Sequence, residues 1–276
     1  MKKYFYILFI FCFSFTLFAQ KATEKKANAL FEKRAYVKAA EMYEQLKESQ
    51  EILQNLGDCY YNNSQMIDAV RVYGKLFLTY KDSVAPEYYF KYAHSLLGTA
   101  DYTKADAIMG EYLKYEISTP KFIANLVTNV PYNYEIQSMS KNITNGDFGM
   151  SFYGDKVAFA SLRNSESKSF GWNDKPYLDL FSANVSDKGL LANVEPFPKE
   201  INTKTHESSA TFSADGRIMY FNRTNDKKVK IGDEKIAVIK IFKAEFIDGK
   251  WSNVKELPFC SDIYSTEHPV LSKDGK

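Results

Sequence analysis

VAFASLRN, residues 157–164, followed by LDLFSA, 178–183, has a counterpart further along the chain: IMYFNRTN, 218–225, followed by IKIFKA, 239–244. Phe159 aligns with Tyr220, Asp179 with Lys240, Phe181 with Phe242 and Ala183 with Ala244, each at an offset of about 61 residues. The spans Asp155–Ala183 and Gly216–Ala244 are therefore two copies of one unit. A third copy opens at Ser265 (STEHPVLSKDGK). The expectation is an array that runs on beyond Lys276.

Within each copy, short apolar runs alternate with turn signals. KVAFAS (156–161), YLDLFSANV (177–185), RIMYFNR (217–223) and KIAVIKIFKAEF (235–246) read as strands rich in aromatic and β-branched residues. Asp187–Gly189, Asp215-Gly216 and Asp248-Gly249 mark tight turns, because glycine accepts positive φ and aspartate can satisfy nearby backbone N–H groups. A unit of three or four strands needs neighbours for its faces, and radial repetition supplies them while leaving only short edges. The expected fold from 147 onward is a partial β-propeller, with about two blades and the start of a third. Two units cannot close a ring. The polar stretches 164–175 and 224–234 read as long loops on one face.

Upstream the period changes. Ala39, Ala69 and Ala105 each have Tyr36, Met66 or Tyr102 three residues before and Tyr43, Tyr73 or Met109 four after. Ala27, Gly57 and Ala93 lie twelve before, and Leu30, Tyr60 and Leu96 nine before. Spacings of three and four place these side chains on one helix face, and the small residue lets a second helix approach. The copies are 30 and 36 residues apart. An isolated helix pair cannot bury such a stripe, so the pairs are expected to stack. The reading is helices at 22–32/36–47, 49–61/65–80 and 86–97/101–115, with a last one near 120–128. Asp101 is placed to cap a helix and Pro86 to start one. The domain is expected to span 21–128, with 129–146 as a linker whose Tyr132, Tyr134 and Ile136 alternate.

Residues 1–20 carry Lys2 and Lys3, an apolar run over 7–18, and Ala19, the pattern of a cleaved secretory signal. Removing the two lysines from the 36 basic residues leaves 34 against 34 acidic ones, and no basic block points to nucleic acid. No other stretch is long and apolar enough for a membrane helix. Cys59 and Cys260 are expected to be separate, buried or half-buried thiols. Asn142 and Asn222 match the glycan-acceptor triplet, and both are read as chance matches.

Catalytic signatures are missing. His206-Glu207 opens like HExxH, but position 210 is alanine. His206 is expected to hold a turn and Asp215 to form one. No nucleophile elbow, phosphate loop or dinucleotide fingerprint is present, and Asp179, Asp187 and Asp215 lack calcium-loop spacing. The expectation is no catalytic residue, cofactor or metal.

The helical segment 55–76, NLGDCYYNNSQMIDAVRVYGKL, resembles the tetratricopeptide repeat at Leu56, Gly57, Tyr60, Ala69 and Tyr73. HESSATFSADGRIMYFNR (206–223) and HPVLSKDG (268–275) resemble the PD40 repeat of TolB-type, WD40-like propellers. The order of parts, with GDFGMSFYGDKVAFAS (146–161), YLDLF (177–181), INTKTHES (201–208) and YSTEHPVLSKDGK (264–276), resembles a Bacteroidetes family of OmpA-like envelope proteins. That resemblance implies a multidomain, periplasmic, outer-membrane-associated scaffold, with relatives in type IX secretion and gliding. Partners would be proteins, an outer-membrane barrel or a secretion or motility component among them. Peptidoglycan would be gripped only by a C-terminal domain absent from this sequence. The candidate partner-binding residues are Tyr88, Tyr92 and Tyr112 on the helices and Trp172, Asp174 and Tyr177 in the sheet loops. Two alternatives stand beside this one: a propeller binding carbohydrate or peptidoglycan fragments, with Trp172 and Trp251 stacking on sugars, and a propeller hydrolase.

Overall fold

A computed structural model describes residues 23–129, 135–139, 146–232, 234–272 and 274–275. The signal segment, Tyr132, Tyr134 and Asn142 lie outside the described residues. The chain divides into two compact units. Of the described residues, the first holds 23–129 with Gly171–Asp174, and the second holds those from Glu135 to Phe170 and from Lys175 onward.

The first unit is a stack of antiparallel helices: α1 (23–32), α2 (Tyr36–Tyr43), α3 (Gln50–Asn62), α4 (Met66–Tyr80), α5 (Pro86–Gly98), α6 (Tyr102–Leu113) and α7 (Thr119–Asn129). Ser49 caps α3 by accepting from the Ile52 N–H, Asp101 caps α6 through the Lys104 N–H, and Pro86 opens α5. The repeat positions Ala27, Ala39, Ala69, Ala93 and Ala105 are all buried. Their role is seen at Gly57, where an added Cβ would stand 2.3 Å from the Tyr73 ring. Helices α3 and α4 therefore touch where the sequence provides the least bulk.

The second unit holds two four-stranded antiparallel sheets. Sheet one runs β1 (Phe148–Tyr153), β2 (Lys156–Ser161), β5 (Asp179–Val185), β6 (Leu191–Pro196). Sheet two repeats that order with β7 (Glu207–Phe212), β8 (Ile218–Thr224), β11 (Ile239–Ile247) and β12 (Lys250–Glu256). The expected loops at 164–175 and 224–234 contain short hairpins, β3 (Ser169–Phe170) with β4 (Lys175–Pro176), and β9 (Val229–Ile231) with β10 (Glu234–Ile236). The expected strand over 235–246 is accordingly broken between Ile236 and Ile239.

The sheets pack face to face. Ala158, Ala160 and Leu180 of sheet one share a core with Ala210, Met219, Phe221, Ala244 and Trp251 of sheet two. The repeat register differs from the sequence alignment by one residue. Phe159 lies opposite Phe181, and it is Phe221, not Tyr220, that lies opposite Phe242. The connections account for this: Phe159 and Phe181 are 22 residues apart, whereas Phe221 and Phe242 are 21 apart, so the link from β8 to β11 is one residue shorter. One residue of slip exchanges the two faces of a strand.

The third copy begins as the second does. The Thr266 N–H donates to the Ile239 carbonyl at 2.8 Å, as Glu207 N–H does to Leu178 at 2.9 Å. Ser272 donates to Asp274 as Ser213 does to Asp215. Among the described residues there are two such sheets and this opening, and no closed ring.

Candidate functional site

The two hydrophobic-looking faces of α5 differ in what they meet. Tyr88, Tyr92, Ala93 and Leu96 face the interior. Tyr92, 1% exposed, packs its ring 5.0 Å from Phe77. The Tyr88 hydroxyl lies 3.5 Å from Asp58, and the Lys91 ammonium sits 4.7 Å over its ring. These two tyrosines are therefore structural rather than partner-facing, because the i, i+4 stripe they form is the one that fills the helix stack. The opposite stripe carries Phe90, His94 and Leu97 at i, i+4 and i+7. Phe90 is 57% exposed and Leu97 37% exposed.

Tyr61 of α3 completes this outer face. Its hydroxyl lies 2.9 Å from His94 Nδ1, and the Phe90 and His94 rings stack at 5.7 Å. On the same helix as Tyr61, Asp58 is a hub. It accepts from Lys91 at 2.7 and 2.8 Å and from the Tyr73 hydroxyl at 2.7 Å. A nearly buried carboxylate with that many donors holds α3, α4 and α5 in fixed relation. The outer face is consequently pre-organised: aromatic, open and rigidly backed. Beside the hub, burial pushes the Cys59 thiol up to about 12, which keeps it unreactive at neutral pH.

The other sequence-derived candidates are dispersed. Tyr112 is 42% exposed and stacks on Tyr89 at 5.5 Å, so it does offer a ring to solvent. Trp172 and Asp174 belong to the helical unit instead of standing on a free loop. The Trp172 indole donates to the Asn62 carbonyl at 3.1 Å and meets Tyr36 edge-on at 4.9 Å. Asp174 lies 3.9 Å from the Lys38 ammonium. Tyr177, half-buried, packs against His206 at 4.6 Å. Trp251 is buried among Phe212, Phe246 and Tyr153. Trp251 offers no open ring face of the kind a sugar platform requires. Asn222 is 2% exposed, so the acceptor side chain of that glycan triplet is buried.

The second unit contains a repeated polar arrangement that sequence reading missed. Arg163 pairs with Asp147 at 2.7 Å and lies over both Phe159 and Phe181. Arg223 pairs with Glu207 at 2.9 Å and lies over both Phe221 and Phe242. Each sheet is thus sealed at one end by a carboxylate-bound guanidinium stacked on two cross-strand phenylalanines. The signal was present as Asp147 and Glu207, and as Arg163 and Arg223, each pair sixty residues apart, one residue short of the 61-residue offset at which the strands align. Burial raises the fully enclosed Glu207 carboxyl to about 7, against the pull of Thr203 and Arg223. His206 accepts from the Leu178 N–H at 3.1 Å, and burial lowers its imidazole to about 4. It holds the start of β5 rather than the turn expected of it. An open depression of about 720 Å³ at the opposite, turn end of the sheets is lined by Asp155, Asp215, Asp248 and Arg217 among others.

No protein-family profile and no curated protein matches this chain.

Proposed function

We propose that this chain is an exported envelope scaffold whose helical unit, of tetratricopeptide type, docks a protein partner, with the sheets forming the opening blades of a PD40-type propeller. One observation carries the reading: the solvent-facing row of Phe90, His94 and Leu97, with half-buried Tyr61 bonded to His94, on helices that the buried Asp58 hub ties together. Aromatic side chains on a rigid backing provide contact area at low ordering cost, which is what a docking surface needs. The mechanism is non-covalent, by shape and apolar contact. The signal-like residues 1–20 support export to the periplasm, and the order of helical and sheet repeats supports an outer-membrane-associated role in secretion, gliding or envelope anchoring. Among the described residues no helix is long and apolar enough to cross a membrane. The propeller reading is supported by the shared strand order of the two sheets, their face-to-face packing and the third opening at Thr266.

The test is a paired recovery from envelope extracts with the full chain and its Phe90→Glu variant. The reading expects a defined protein retained by the first and lost from the second. The same set retained by both contradicts it.

A further inference from the structure

Helix α7 repeats the opening of α5. Pro120 follows Pro86 by 34 residues, and at the same offset Phe122, Ile123, Leu126 and Val127 take the positions of Tyr88, Tyr89, Tyr92 and Ala93. On α3 the corresponding residues are Ile52, Leu53, Leu56 and Gly57, all buried. On α7 they are open: Phe122 is 62%, Ile123 38%, Leu126 49% and Val127 72% exposed.

What covers this stripe elsewhere in the stack is visible. On α3 it is α4, whose Tyr73 lies against Gly57. On α5 it includes α6, through the Tyr89–Tyr112 stack and the Lys104 ammonium 5.4 Å over Tyr92. Each first helix is covered by a second helix carrying alanine at the crossing, Ala69 or Ala105, both buried. Helix α7 continues that interface and is held in position for it. Asp106 of α6 accepts from the Thr119 N–H at 2.8 Å and from its hydroxyl at 2.6 Å, pinning the start of α7.

We infer that the Phe122–Ile123–Leu126–Val127 face of α7 docks an amphipathic helix of a partner protein, which completes a fourth helix pair. The chemistry of that helix follows from the copies present. It carries a small residue at the crossing and an apolar residue four positions later. Val127 stands where α3 has Gly57, so an aromatic ring placed as Tyr73 is would collide with it. The residue there is aliphatic, as Met109 is in α6. This is recognition of a helix by an apolar groove, with anchors spaced four residues apart on both helices. It shares the helix-repeat reading of the first unit but uses none of the α3–α5 face residues. Phe90→Glu therefore leaves it intact.

The experiment uses the full chain and a fluorescent peptide of residues 101–114, the second-helix sequence this protein itself contains. Because isolated helices of that length are marginal, the peptide is stapled at Thr103 and Ala107, which are solvent-facing in α6. Saturable binding is expected, with a dissociation constant on the order of tens of micromolar. It should weaken about tenfold or more with Leu126→Glu in the protein or Ala105→Asp in the peptide. Leu126 is half-exposed, so the variant is expected to fold, and circular dichroism checks this. Two measurements on the chain alone accompany it. A Val127→Cys thiol should label freely, and sedimentation should show a monomer. No saturable binding, or binding indifferent to Leu126→Glu, overturns the inference. So does a Val127→Cys thiol shielded in the chain alone, which assigns the face to this chain's own residues. A dimer abolished by Leu126→Glu also overturns it, assigning the face to a second copy.

Discussion

Two neighbouring residues, His206 and Glu207, titrate in opposite senses. Glu207 rises from 4.5 to about 7, so across that window the folded chain keeps a proton that the unfolded chain releases. Its contribution to stability therefore falls as pH rises through the window. His206 falls from 6.5 to about 4, so between those values the unfolded chain takes up a proton that the folded chain does not. Its contribution rises with pH. The two offset each other over most of the acidic range. Glu207→Gln should remove one side of that balance. Thermal melts of this variant should show Tm climbing with pH between 4.5 and 6.5, more steeply than in the parent. Equal slopes would mean that the Glu207 carboxyl is not the offsetting group. At Gly57 the expectation is simpler. Alanine there meets the Tyr73 ring, which Asp58 holds by its hydroxyl, and the overpacking should cost about 1–3 kcal/mol in denaturant unfolding.

At the scale of elements, the arginine seals and the helix start offer separate tests. Asp147→Asn leaves a partly buried guanidinium without its carboxylate and should cost roughly 3–5 kcal/mol. An exposed control such as Lys204→Ala, whose pair with Asp226 is solvent-facing, should fall within about 1 kcal/mol of the parent. Asp106→Ala should loosen α7 by about 0.5–2 kcal/mol, read as faster amide exchange there with α3 and α4 unchanged. Elements of this kind were legible before any coordinates. A stripe of period 3.6 and a strand ended by Asp-Gly both state their conformation locally, and Asp101, Pro86 and Ser213-Ala-Asp-Gly behave as their sequences say. What was not legible was which apolar stripe of α5 turns inward. PEYYFKYAHSLLG carries two, and only the neighbouring α4 decides that Tyr88 and Tyr92 are core while Phe90 and Leu97 face solvent. The repeat register escaped for a related reason, since a one-residue difference between the β2–β5 and β8–β11 connections is invisible to an alignment that matches phenylalanine with tyrosine.

For the whole molecule, the organisation is helix pairs followed by four-stranded sheets, and in both units the unit of construction is repeated. Repetition explains why the buried residues are small or aromatic at fixed offsets: each copy uses its neighbour as the other half of its core. It also explains why function is sought on surfaces. Glu207 and Asp179 are enclosed and His206 is half-buried against a strand end, whereas the candidate docking residues on α5 and α7 are open and apolar. Trp172 shows the limit of reading sites from loops. Its polar, glycine-flanked context in sequence gives no sign that residues 62 and 63 of the helical unit would take up its indole N–H and its carbonyl. The docking claim is tested most directly by a photo-crosslinking amino acid placed at Phe90 in the full chain, in cells that export it, with the solvent-facing Lys47 as control. The account predicts a discrete protein adduct from position 90 that is absent from position 47. Indistinguishable patterns from the two positions would contradict it.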